Sequence, residues 1–179
     1  HHLITMLQKI ISKPLDSGNE YFLPSSIQIP TFDIGNPAVN VIPEIARATI
    51  NIRFNDQHTS ESLMKWMQKH IDEIFEPLKN ASCTFTCDKT GESFLTKPGK
   101  LTQLMTKSIS EVTGQNREPE LATDGGTSDA RFIKDYCETA ELGIRNQTLH
   151  QVDEFVYLSE IKELTKIYFQ IIKNFFNKN

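Results

Sequence analysis

The sequence predicts an α+β chain built in two parts, and three observations carry that reading. Residues 44–54 alternate apolar and polar side chains with period two, the pattern of a strand covered on one face. Residues 60–78 and 159–177 repeat apolar side chains at helical spacing. The order of elements changes near residue 90, from α-β-β-α-β before it to β-loop-α-β-loop-α after it.

The chain has 179 residues, the size of one large domain or two small ones. Apolar residues are 38% and charged residues 23%, as in ordinary soluble proteins. A net charge of −4 offers no basic face to nucleic acid. No apolar run approaches the ~20 residues that cross a bilayer, and the start has no secretory pattern. A cytoplasmic protein is expected. Cys83 and Cys87 stand four apart in a strand-like run, roughly 13 Å at strand rise, too far for a disulfide or a shared metal. Buried free thiols are the expectation for such a chain.

Taken in order, residues 1–15 read as a helix with apolar positions 3, 4, 7, 10 and 11, ended by Pro14 and the turn Asp16-Ser-Gly18. The helix has no cap before it. Either two tag residues precede a real start, or the chain is cut from something longer. Residues 21–34 are extended, with Ile27 and Ile29 in phase. Phe32 and Ile34 resume in the opposite phase after Pro30, so Pro30 predicts an edge position or a bulge. In the strand 44–54, Ala46, Ala48, Ile50, Ile52 and Phe54 share one face, and Arg47, Thr49, Asn51 and Arg53 the other. Helix 60–78 has Thr59 or Ser60 as its cap and the stripe Leu63, Met67, Ile71, Ile74, Phe75 and Leu78, flanked by Met64 and Trp66. Residues 82–87 alternate again, with Cys83, Phe85 and Cys87 on one face. One more strand before residue 1 would complete a βαββαβ unit, the ferredoxin-like arrangement.

In the second part a helix runs from Pro98 to Gly114, with Leu101, Leu104, Met105, Ile109 and Val112 as its stripe. A short strand is expected near 119–122, a short helix at 130–134 and a strand at 138–142. The last helix, 159–177, turns Ile161, Leu164, Tyr168, Ile171, Ile172 and Phe175 inward.

Few side chains carry chemistry. Gly125-Gly126-Thr127-Ser128 lies between a strand and a helix. It suits capture of a carboxylate or oxyanion, or it is a tight turn with a Thr or Ser cap, the plainer reading of these residues alone. Without a following Lys it is no phosphate loop. His150 offers one imidazole, which cannot close a zinc site that takes three or four protein ligands. Asn146 could orient a substrate or close a turn. Arg53 and Asn40 on an open sheet face suit a planar carboxylate, or form a solvated face. His58 and His70 read as a turn residue and a helix-surface residue, with no role.

Six segments, in order, go further: Gly18-Asn-Glu-Tyr-Phe-Leu-Pro24-Ser-Ser, Gly35-Asn-Pro-Ala-Val-Asn40-Val-Ile-Pro43, Asn51-Ile-Arg53-Phe-Asn, Gly91-Glu-Ser-Phe-Leu-Thr-Lys-Pro98-Gly-Lys-Leu, Gly125-Gly-Thr-Ser-Asp-Ala-Arg131-Phe-Ile and Asn146-Gln-Thr-Leu-His150-Gln-Val-Asp-Glu154. With them the chain resembles the di-zinc amidohydrolase and metallopeptidase family that includes the succinyl-diaminopimelate desuccinylases, the acetylornithine deacetylases and the carboxypeptidase G-type enzymes. The desuccinylase branch is the most similar, and the resemblance runs over essentially the whole chain.

The resemblance implies a fold of two pieces. Residues 1–90 would be an incomplete ferredoxin-like lid, lacking its first strand, which makes a homodimer. Residues 91–179 would be the C-terminal segment of an α/β zinc-peptidase-like catalytic domain. The cofactor implied is a pair of zinc ions per full-length subunit, with cobalt able to substitute. His150 would be a metal ligand, and Asn40, Arg53, Gly126, Thr127 and Asn146 would contact a small-molecule substrate. The other zinc ligands and the general-base Glu of that family lie before the lid, so this chain would contain no catalytic residue and would be inactive alone. The implied activity of the whole is bacterial: hydrolysis of the N-succinyl amide of N-succinyl-LL-2,6-diaminopimelate, in diaminopimelate and lysine synthesis. Two alternatives remain: a non-catalytic dimerisation and substrate-recognition module, and a related deacylase such as acetylornithine deacetylase.

Overall fold

The computed structural model describes residues 1–115, 119–123, 128–144 and 147–177. Its elements are α1 (His2–Ile11), β1 (Ser26–Asp33), β2 (Arg47–Arg53), α2 (Ser60–Phe75), α3 (Lys100–Thr113), α4 (Ala130–Ile133) and α5 (Leu158–Phe176). The described residues fall into two units, one of residues 1–95 with Thr123, the other of the rest.

The first unit is an antiparallel pair of strands with α1 and α2 on one face. Ala48, Ile50 and Ile52 of β2 turn toward a core of Met6, Leu7, Ile10, Met67 and Ile71, while Arg47, Thr49, Asn51 and Arg53 are exposed. Within β2 the period-two pattern reports the faces correctly, but residues 44–46 lie outside the strand and Ala46, expected on the core face, is exposed. Gln28 pairs with Asn51 and Thr31 with Thr49, so Ile29 and Pro30 together oppose Ile50. That is a β-bulge at Pro30, and the extra residue is what reverses the phase of Phe32 and Ile34. Helix α2 starts at a reciprocal cap. Thr59 Oγ1 accepts from Ser62 N at 3.1 Å, and Ser62 Oγ accepts from Thr59 N at 3.0 Å. The Glu92 carboxylate accepts from Ser60 N at 3.1 Å and from the Ser60 hydroxyl, adding negative charge at the same helix start.

Asp16 ties the segment after α1 to the segment before α2. Its carboxylate accepts from Gly18 N at 2.7 Å, Ser25 N at 3.1 Å and Asn55 Nδ2 at 2.7 Å, and meets His58 Nε2 at 3.0 Å. Gly18 has φ +73°, and a Cβ there would stand 2.5 Å from Phe22 O, so the turn requires glycine.

Several expectations are corrected here. Residues 82–87 form no strand, although Cys83 and Phe85 do pack against the core. The described residues of 119–122 and 138–142 form none either. Alternation fixes which side chains face the core, not whether a neighbour supplies a ladder. The sheet of the described residues therefore has two strands. Cys87 and Cys137 are exposed thiols, and only Cys83 is half-buried, its thiol pKa raised by that burial. His70 is half-buried on α2 rather than freely exposed. Its ring packs edge-on against Trp66 at 4.7 Å between centroids.

In the second unit α3 packs against α5. Thr102 Oγ1 accepts from Gly99 N at 2.8 Å at the start of α3, and Gly114, at φ +67°, ends it. The seam is more polar than the stripes suggested. Ser108 is fully buried, donates to Leu104 O and accepts from Asn174 Nδ2 at 3.1 Å. Asn174 and Gln170 both donate to Glu111 at 2.9 Å. Helix α5 thus turns Leu164, Ile167, Gln170, Ile171 and Asn174 inward, whereas Ile161, Tyr168, Ile172 and Phe175 are exposed. The helix is apolar over more of its circumference than one neighbour covers, and the polar partners on α3 decide which stripe is buried.

Candidate functional site

His150 sits in the loop that leads into α5, and the loop has a defined shape. Gln151 N donates to Thr148 O at 3.0 Å, closing a turn with His150 at its third position. His150 has φ +60° there, where glycine or asparagine is usual. Asp153 follows at φ +62°. Among the described residues these two alone combine a side chain with positive φ. Such a conformation persists only where the surroundings hold it, and it is found often at functional sites. Here Thr148 Oγ1 donates to Phe155 O at 3.0 Å and accepts from Phe155 N at 3.1 Å. The Phe155 ring meets Tyr157 edge-on at 5.1 Å, just ahead of α5. The His150 side chain is exposed.

Arg53 ends β2 on the exposed face of the sheet, opposite Ser26, and makes no ion pair with a described residue. Asn40 is exposed in a turn of the segment joining β1 to β2. Asn36 shapes that segment, its Nδ2 donating to Val41 O at 2.7 Å and its Oδ1 accepting from Ala38 N at 3.1 Å. Val39 and Ile42, beside Asn40, are almost wholly exposed. Gly126, Thr127 and Asn146 lie outside the described residues. Ser128 Oγ accepts from Ala130 N at 3.0 Å, a local side-chain turn just ahead of α4, whose N-cap Asp129 makes no side-chain cap bond. With four residues, α4 adds little dipole for an anion.

Arg131 was not among the candidates, although its segment was. Its Nε is buried with no hydrogen-bond partner among the described residues. Its guanidinium lies 4.7 Å from the centroid of the Phe132 ring. A buried N–H without an acceptor is uncommon and marks a place where an acceptor fits. Sequence held one signal for it: a cation five residues after a paired glycine.

No three His, Cys, Asp or Glu side chains among the described residues come together in a way that could hold a metal ion. His150 has no such companions among the described residues.

Residues 10–174 match the peptidase family M20/M25/M40. The chain is 45% identical over 97% of its length to a succinyl-diaminopimelate desuccinylase of Parvibaculum lavamentivorans. It is 46% identical over 98% to those of Paracoccus denitrificans and Ehrlichia canis. These matches cover 43%, 45% and 44% of the relatives, so the chain spans less than half their length.

Proposed function

The chain belongs to the peptidase family M20/M25/M40, and on that footing we propose that it is the C-terminal portion of a succinyl-diaminopimelate desuccinylase. The reaction of the whole is hydrolysis of the N-succinyl amide of N-succinyl-LL-2,6-diaminopimelate. The observation that carries the substrate is identity of 45–46% to relatives of that name over nearly all of this chain.

In this reading His150 is one ligand of a zinc pair whose other ligands lie outside this chain, as does the general base. A bound zinc pair would activate water for attack on the amide. This chain's part is to place the imidazole and to bind the substrate. Arg53 pairs with a substrate carboxylate, which its fork of donors fits. Asn40, Gly126, Thr127 and Asn146 orient the carboxylates or the scissile amide, and Arg131 supplies a further donor. Residues 1–90 serve as an incomplete ferredoxin-like lid and dimerisation piece, and residues 91–179 as the C-terminal segment of the catalytic domain. No described helix is long and apolar enough to cross a membrane. The proposed setting is the bacterial cytoplasm.

The lone donor at His150 favours a second reading for the chain acting alone: a recognition and dimerisation module without catalysis.

A segment swap tests the first reading. This chain replaces the matching segment of the Paracoccus denitrificans relative, and hydrolysis of N-succinyl-LL-2,6-diaminopimelate is followed with zinc present. The swapped protein should be active and should lose activity on His150→Ala, while the 179-residue chain alone shows no rate. A folded swap without activity, or one indifferent to His150→Ala, would contradict the reading.

A further inference from the structure

We propose that Thr148 is the positioning residue that presents the His150 imidazole, an inference that rests on the reading of His150 as a site residue. The Thr148 hydroxyl is bonded to both polar groups of Phe155, donating to its carbonyl at 3.0 Å and accepting from its N–H at 3.1 Å. One side chain thus closes loop 148–155 in the way that a pair of backbone bonds closes a hairpin. The two left-handed residues, His150 and Asp153, both lie inside the closed segment. Neither is glycine, so an open loop would relax toward negative φ at both.

The other ties of the loop among the described residues are local. Gln151 N bonds to Thr148 O at 3.0 Å, and Gln151 Nε2 to Gln147 O at 3.2 Å. Both stay within the first turn and do not reach Asp153. The Phe155–Tyr157 ring contact holds the far end against the start of α5, and Thr148 carries that fixed point back to the turn bearing His150. A threonine fits the role because its branched Cβ limits χ1, so the hydroxyl is held toward Phe155. A valine has nearly the same shape and lacks both bonds. A serine keeps the hydroxyl.

The test is nuclear magnetic resonance on the isotopically labelled 179-residue chain. A positive φ shortens the distance between a residue's amide and α protons, giving a strong intraresidue cross-peak. That cross-peak should be strong at His150 and Asp153 in the unaltered chain and in Thr148→Ser. In Thr148→Val it should be lost at both, and the Phe155 amide should exchange about tenfold faster, with the amides of α3 and α5 still protected. Strong cross-peaks in Thr148→Val would overturn the proposal. So would loss of protection throughout α3 and α5, which would make Thr148 a residue of general stability. The swap with His150→Ala separates the two ideas: full activity there would remove His150 from the site and leave this loop geometry standing.

Discussion

At Asp16 a side chain only 6% exposed holds a full set of donors. Burial raises its pKa, but the hydrogen bonds from Ser25, Gly18 and Asn55 outweigh burial and hold the carboxyl well below the ordinary range. A carboxyl whose folded pKa is depressed contributes stability above its unfolded pKa, near 3.9, and loses it as pH falls through the folded value. Urea unfolding of the chain should therefore weaken progressively below about pH 4, and Asp16→Asn should flatten that slope. The same substitution should cost roughly 2 kcal/mol or more at neutral pH, because charge-assisted bonds become neutral ones and one oxygen becomes a donor facing donors. Residues 18–26 are one of the segments that carry the resemblance, and the structure gives Gly18 and Ser25 a structural reason. Arg53 is the opposite case, exposed and without an ionic partner among the described residues. In the swapped enzyme Arg53→Ala should lower kcat/KM about 10²-fold, the scale of a lost charge-assisted pair, and steady-state kinetics would read it. Unchanged kinetics would take Arg53 out of the site.

Elements whose signal is local were legible in the sequence. The faces of β2 and the end of α3 at Gly114 depend on neighbouring residues and stand where the pattern put them, and of the paired alternatives the structure takes the bulge over the edge position at Pro30 and Thr59 over Ser60 as the cap. The Thr59 cap can be weighed directly. Thr59→Ala should cost about 1 kcal/mol in the urea midpoint of the first unit, and Thr59→Ser should restore most of it. What failed was partner choice. The alternation of 82–87 named the core-facing side chains Cys83 and Phe85 but could not supply a ladder. For α5 the apolar residues mark two stripes, and only Ser108 and Glu111 on another helix decide which is buried. The left-handed φ of His150 had no sequence signal either, since the turn type usually announces itself by glycine.

On the scale of the whole molecule, the proposed lid predicts association. Light scattering over a range of concentrations should give a dimer, with α2 and an outer edge of the β1–β2 pair as candidate surfaces. A monomer of 20.4 kDa at every concentration would refute it. The relatives are more than twice as long as the stretch they share with this chain. The central proposal rests on that span and on the imidazole of His150: this chain supplies one metal ligand and part of the substrate site, and the remaining ligands come from elsewhere in the whole protein. Calorimetric titration of the 179-residue chain with zinc tests it most directly. No submicromolar site should appear, because tight zinc sites draw three or four ligands from the protein. A submicromolar site that disappears on His150→Ala would contradict the claim.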